Sequence, residues 1–192
     1  MKKYLCLKNQ FLKKNDLEIV PIRHKDSLKI MHWRNEQTYH LRQNGLLTKE
    51  DQDNYFKNTI DGLFNELNPQ QILFSYLRQD ICIGYGGLVN INWHDKRAEM
   101  SFLLDTKLKK SKRNYQNCFS IFIELIKKIA FDEMNMNRIY TETYSFRSKH
   151  IAILEDNEFM LEGSMKEHIY MNEEDKFYDS LLHGCLKKNY EK

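Results

Sequence analysis

Residues 107–140 read KLKKSKRNYQNCFSIFIELIKKIAFDEMNMNRIY, and this stretch decides the fold. It opens on a basic loop (Lys107, Lys109, Lys110, Lys112, Arg113) and closes on an extended segment, Arg138-Ile139-Tyr140. Between them, Phe119, Phe122, Ile123, Ile126 and Ala130 recur at helical spacing, which predicts an amphipathic helix over 117–134. Ile121, Leu125 and Ile129 widen the apolar stripe, so the helix packs on something broad. A cationic loop feeding a helix N-terminus favours negative charge, because unpaired backbone N–H groups, the helix dipole and the lysines act together. A phosphorylated ligand suits such a place; a solvated lysine loop on a core helix is the plainer alternative.

Upstream, residues 17–22 read as a strand, followed by a helix from about Asp26 that carries Leu28, Ile30, Met31 and Trp33. Thr48 with Asp51 three residues later has the form of a capping box, starting a helix through Tyr55, Phe56, Ile60 and Phe64 that Asn68-Pro69 ends. Residues 72–77 and 81–92 read as strands turned at Arg78-Gln79-Asp80, and 98–104 as a third, giving an antiparallel meander. Downstream come a strand over 138–146, a helix over 148–157 and strands near 161–170 and 177–187. The order predicts a mixed α/β (α+β) fold, a central, mostly antiparallel mixed sheet flanked by helices. One domain over 17–190 accounts for it, with residues 1–16 as an N-terminal extension of open role.

At 192 residues the chain can bury a substantial core. Lys plus Arg exceeds Asp plus Glu by only 30 to 27, and outside the basic loop the charges are scattered, which argues against a nucleic-acid partner. Cys6, Cys82, Cys118 and Cys185 form no CxxC pair and sit among apolar or small residues, so reduced thiols in a cytoplasmic protein are expected, with no metal site. Lys8, Asn9, Gln10 and Lys13 interrupt any apolar run near the start, so no secretory signal is read there. The stretch 81–94 contains three glycines and falls short of the roughly 20 apolar residues of a spanning helix, so no membrane association is expected.

Five segments then resemble the GNAT superfamily of acyl-CoA-dependent N-acetyltransferases, in its ribosomal-protein and amino-sugar branches. They are Ile83-Gly84-Tyr85-Gly86-Gly87-Leu88; Arg97-Ala98-Glu99-Met100-Ser101-Phe102; Ala130-Phe131 with Asn135-Met136-Asn137-Arg138-Ile139; Ile153-Leu154-Glu155 with Phe159, Glu162 and Gly163; and Phe177 through Gly184. They follow in the family's order, and the resemblance as a whole covers roughly residues 17 to 190. Near the front, Trp33-Arg34-Asn35 and the Thr48 to Phe56 segment resemble the sugar-amine acetyltransferases. The resemblance implies the GNAT fold, acetyl-CoA as cosubstrate and a small-molecule or peptide amine as acceptor, with an amino-sugar nucleotide as lead. Trp33, Arg34 and Asn35 are then the acceptor-binding residues, against a buried Trp with a salt-bridged Arg. A protein N-terminus or another small amine is the alternative acceptor, and a homodimer is left open.

One departure bears on the cofactor. The family's pyrophosphate loop carries glycines that let backbone N–H groups approach the phosphates, whereas the matching residues here, Arg113, Asn114, Tyr115, Gln116, Asn117, Cys118 and Phe119, include none. Asn117 tolerates positive φ and could stand in for a glycine, with Lys112 and Arg113 supplying attraction. A GNAT-like binding module without turnover is the rival reading. The resemblance further implies that the backbone of Phe102, Leu103 and Leu104 holds the pantetheine arm and that Arg147 borders it.

Acetyl transfer from a thioester to an amine needs a neutral amine, an oxyanion donor and a proton for the thiolate. A lysine-type amine has a pKa near 10.4, so a base must help remove its proton. Glu99 is the candidate base, against an exposed strand carboxylate paired with Arg97 or Lys96. His150 is a candidate proton relay, against a surface histidine in a first helical turn. The family's tyrosine acid corresponds to Leu154, which leaves that role vacant or passes it to Tyr144. Cys118 near a helix start invites an acyl-enzyme reading, which direct transfer in the family disfavours.

Overall fold

The computed structural model of the chain describes residues 2–43 and 45–190. Among these, eight strands form one sheet in the order β1-β2-β3-β4-β5-β6-β8-β7: β1 (Leu12–Lys14), β2 (Leu17–Pro21), β3 (Ile72–Arg78), β4 (Ile81–Asn92), β5 (Arg97–Leu104), β6 (Arg138–Tyr144), β7 (Met160–Met171) and β8 (Lys176–Leu186). Every neighbouring pair is antiparallel except β5 and β6. The expected meander is β3-β4-β5, and its first turn has Gln79 and Asp80 at φ 50° and 61°, the left-handed pair that a two-residue hairpin requires.

Helix α1 (Ser27–Glu36) and helix α2, which starts at Lys49–Tyr55 and continues through a π-helical turn at Phe56–Ile60, cover one face. Helix α3 (Lys112–Lys127), extended by a π-helical turn at Lys128–Glu133, covers the other. Alternation along β4 shows the two sides: the Tyr85 hydroxyl meets Arg34 of α1, while a Cβ on Gly86 would stand 2.9 Å from Phe122 of α3. That Cβ would also come within 2.1 Å of the Ser101 carbonyl, so only glycine allows β4 and β5 to pair here. Helix α4 (Ser148–Asp156) follows β6. The capping box of α2 forms as expected: Thr48 Oγ1 accepts from the Asp51 amide at 3.1 Å, and the Asp51 carboxylate accepts from the Thr48 amide at 2.8 Å.

The basic loop is in part a short helix, Thr106–Lys109, and two further elements differ from the sequence expectation. Helix α3 begins at Lys112 rather than 117, because Ser111 caps it by accepting from the Asn114 amide. Residues 114–117 therefore lie in its first turns, and Asn117 is helical rather than left-handed. The polar run Asn114–Asn117 faces mostly outward, which broke the apolar stripe from which the start was read. The second is the N-terminal segment, which packs into the domain: the buried Tyr4 hydroxyl donates to the Leu73 carbonyl at 2.9 Å, Gln10 bonds the backbone of Tyr4 and Leu7, and β1 adds a strand beside β2.

Candidate active site

Strands β5 and β6 pair only at Arg97 with Arg138, Ala98 with Ile139 and Glu99 with Tyr140. β6 stays paired to β8 as far as Tyr144 with Ser180, and β5 stays paired to β4 as far as Leu104 with Gly84. Beyond Glu99 the two halves of the sheet therefore separate, and a cavity of about 210 Å³ opens between them. Glu99, Phe102, Tyr144, Arg147 and His150 all line it. A larger cavity of about 620 Å³ adjoins it between the start of α3 and α4; Arg147 and His150 line both. A third, of about 300 Å³, lies between α1, α2 and the sheet and shares Arg34, Val89 and Ser101 with the first.

Glu99 is buried rather than exposed, and its partners are neither Arg97 nor Lys96. Arg42 Nη2 donates to its Oε1 at 2.5 Å, and Asn90 Nδ2 to its Oε2 at 2.7 Å. Asn90 reaches it from a break in the β4–β5 register, where its φ of 49° turns the strand.

His150 is buried too, stacked on Phe119 with ring centroids 4.3 Å apart. Its Nδ1 lies 2.8 Å from the Tyr115 hydroxyl. The Arg147 guanidinium, which can only donate, interacts with the same phenol. A phenol that donates to Nδ1 leaves the imidazole proton on Nε2. Burial, and next the Arg147 charge, hold the His150 pKa well below its ordinary value, so the ring is neutral. Burial raises the Tyr144 pKa, so its phenol keeps its proton at neutral pH.

The large cavity has an apolar wall that includes Phe146, Ala152 and Ile153, and a cationic rim of Lys109, Lys110, Lys112, Arg147 and Lys149. Lys109 Nζ contacts Gln37 Oε1, the Tyr39 hydroxyl and His40 Nε2 at 2.6–2.9 Å. Burial, then the nearby Arg147 charge, push the Lys109 ammonium down to about 8. Ser111 satisfies the Asn114 amide, so the Lys112 and Arg113 amides are the first-turn donors of α3. The absence of glycine at 114–118 thus concerns residues already inside a helix. An anionic, partly apolar cosubstrate fits this lining.

The model of the acetyltransferase (GNAT) domain family matches residues 19–182. The chain belongs to that family. It is an N-acetyltransferase, with acetyl-CoA as its cosubstrate. Solved structures of spermidine N-acetyltransferase from Vibrio cholerae share the fold. One, a dodecamer in an intermediate state, superposes with a TM-score of 0.75 at 18% identity, covering 92% of this chain and 97% of its own. Another, in complex with CoA and spermine, gives 0.78 at 16% identity, covering 93% and 100%. A protein described as a putative acetyltransferase gives 0.67 at 14%, covering 95% and 89%.

In this acetyltransferase the three residues read as an acceptor motif part company. Trp33 is buried in the core and borders none of the three cavities. Asn35 clips the loop after α1, accepting from the Leu47 amide and donating to the Leu47 carbonyl, both at 2.8 Å. Arg34 alone reaches the cleft; its Nη1 donates to the Tyr85 hydroxyl at 2.8 Å and its Nε to Gln43 Oε1 at 3.0 Å. No carboxylate among the described residues pairs with it.

The predicted cofactor residues also separate. Lys112 and Gln116 line the large cavity, whereas Arg113, Asn114 and Asn117 are exposed beside it. Cys118 faces the sheet, with its carbonyl accepting from the Tyr76 hydroxyl and its thiol raised in pKa by burial, so it is not an activated nucleophile. Phe119 and Phe102 stack 4.6 Å apart behind the cleft. Leu103 and Leu104 are buried, and the Leu104 carbonyl already accepts from Gln37 Nε2 at 2.9 Å. Sequence reasoning missed Arg42, Asn90, Tyr115 and Glu142. Arg42, Tyr115 and Glu142 act through partners 35 or more positions away, and Asn90 through a break in strand register beside Glu99; no local pattern marks such pairs.

Among the described residues no helix is long and apolar enough to cross a membrane, and no group of three or more His, Cys, Asp or Glu could hold a metal ion.

Proposed function

We propose that the enzyme acetylates a small primary amine by direct transfer in the cleft between β5 and β6, with Glu99 as the base. The observation that carries this reading is the separation of the two strands just beyond Glu99, which puts a buried carboxylate in the lining of a cavity that shares Arg147 and His150 with the cationic one. Acetyl-CoA supplies the acyl group and a thiolate leaving group. Its phosphates lie against Lys110, Lys112 and the first turn of α3, and its thioester end reaches Phe102 and His150. Glu99 takes the proton from the acceptor's ammonium, so that the neutral nitrogen can attack the acyl carbon. His150, neutral and protonated at Nε2, donates a hydrogen bond into the cleft, where charge develops on the acyl oxygen. Tyr144 gives the departing sulfur its proton and regains one from the acylated nitrogen, which sheds its second proton as the tetrahedral adduct collapses. No step needs Cys118.

Placement of the phosphates is tested by titrating acetyl-CoA into the Lys112→Ala/Arg113→Ala double variant. Affinity drops by roughly ten- to a hundredfold, and added salt narrows the gap to the parent protein. An unchanged affinity at low salt moves the phosphates elsewhere.

An amino-sugar nucleotide remains the favoured acceptor for one reason: Arg34, without a carboxylate partner among the described residues, presents a planar donor to both acceptor-side cavities, as a phosphate would require. Trp33 gives no support, since it offers no exposed face. The polyamine of the Vibrio cholerae enzymes is the competing acceptor, and Arg34 would repel it. Thiol release measured with a polyamine, an amino-sugar nucleotide and a peptide N-terminus separates these. Arg34→Ala raises the KM of the nucleotide by about tenfold or more while leaving that of acetyl-CoA unchanged. A lower KM for the polyamine in the variant, with no activity toward the nucleotide in either form, rejects the sugar-nucleotide reading.

A further inference from the structure

Arg42 lies in the irregular segment between α1 and α2, and its side chain crosses the mouth of the cleft. One of its nitrogens, Nη2, is 2.5 Å from Glu99 Oε1 on β5 and 3.4 Å from Glu142 Oε2 on β6. Glu99 and Glu142 thus stand on opposite lips of the cleft at a separation set to share one cationic nitrogen. Their burial is unequal to that of Arg42: the carboxylate side chains are 10% and 18% exposed, the arginine 52%. The carboxylates are also fixed from behind, Glu99 by Asn90 Nδ2 at 2.7 Å and Glu142 by Ser180 Oγ at 2.6 Å. Among the described residues Arg42 has no other hydrogen-bond or ion-pair partner.

Two anchored, mostly buried carboxylates without a cation are costly, whereas a half-exposed arginine can return to water at little expense. We infer that Arg42 is an internal stand-in for the acceptor: its guanidinium fills the subsite in which Glu99 and Glu142 receive the acceptor's ammonium, and the acceptor binds by displacing it. While Arg42 is in place, Glu99 is engaged as an ion-pair partner and is not free to take a proton. Entry of the amine exchanges one cation for another, so Glu99 is not left bare, while Glu142 also has His168 Nε2 at 3.9 Å. Glu142 thereby becomes an acceptor-binding residue, and Arg42 a gate that the correct substrate opens. The inference rests on reading this cleft as the amine site.

The experiment is calorimetric titration of n-butylamine, as a minimal primary ammonium, into the enzyme and its Arg42→Ala, Arg42→Lys and Glu142→Gln variants. Acetyl-CoA is titrated into each in parallel. A stand-in that competes for the subsite predicts that Arg42→Ala tightens butylamine binding about two- to fivefold, the equivalent of one exposed ion pair. Arg42→Lys, which keeps a competing cation, stays near the parent. Glu142→Gln weakens binding several-fold, and acetyl-CoA affinity holds in all four proteins. An arginine that merely braces the loop, or that binds the acceptor, gives the opposite sign: truncation leaves butylamine affinity unchanged or weakens it, and either result overturns the inference. Failure of the parent protein to bind acetyl-CoA instead rejects the underlying reading of the cleft.

Discussion

Glu99→Gln lowers acceptor-dependent thiol release by roughly two to four orders of magnitude, while acetyl-CoA affinity measured by calorimetry stays close to that of the parent. The substitution is isosteric, so the amide can still accept from Asn90 at the position where Glu99 Oε2 now accepts at 2.7 Å. What it removes is the group that accepts a proton from the amine. An acceptor with a pKa near 10 is almost wholly protonated at neutral pH, so loss of that group falls on turnover rather than on cosubstrate binding. Raising the assay pH toward the acceptor's own pKa restores part of the loss, since solvent then supplies the neutral amine. Equal turnover in the two proteins at neutral pH would reduce Glu99 to a partner of Arg42.

The largest effect on stability is expected at Phe122. Its ring is fully buried, with centroids 4.7 Å from Phe102 and 5.3 Å from Tyr76, and it occupies the notch that Gly86 leaves in the sheet. Phe122→Ala costs about 3–5 kcal/mol, because the surrounding sheet and helix close the resulting void only in part. Chemical denaturation reads this as a lower midpoint at unchanged slope. The same variant loosens the backing of Phe102, which lines the cleft, so any folded fraction should show weaker acetyl-CoA binding. A loss below about 1 kcal/mol would mean that the notch collapses without cost and that the packing around Gly86 is not tight.

Much of the architecture could be read from residues close together in the chain. The meander followed from apolar, strand-like runs and the Arg78-Gln79-Asp80 turn, α2 from Thr48 and Asp51, and the body of α3 from its apolar stripe; each is a local pattern enforced by backbone geometry. The GNAT assignment drew on five such segments in order, and the family match over residues 19–182 agrees with it. The start of α3 was misplaced because a serine cap is a weaker signal than an apolar stripe, and the mostly polar Asn114–Asn117 run hid the first turn. Tyr4 went unread because a single buried residue has no period.

The amino-acid sequence by itself determined the element order, the mixed sheet, the family, and the identity of Glu99, His150 and Arg34 as residues worth weighing. Only the tertiary structure decided what those residues touch. Helical spacing cannot say whether Trp33 or Arg34 faces the core, since neighbours on α1 differ by about 100° in direction and the deciding surface is a sheet formed by residues forty to seventy positions away. Nor can it join Arg42, Glu99 and Glu142, whose meeting depends on β5 and β6 running parallel for three residues and then separating. Local patterns follow from the backbone's own periodicities, whereas the cleft exists because two halves of a sheet, each held on its far side, stop sharing hydrogen bonds between them.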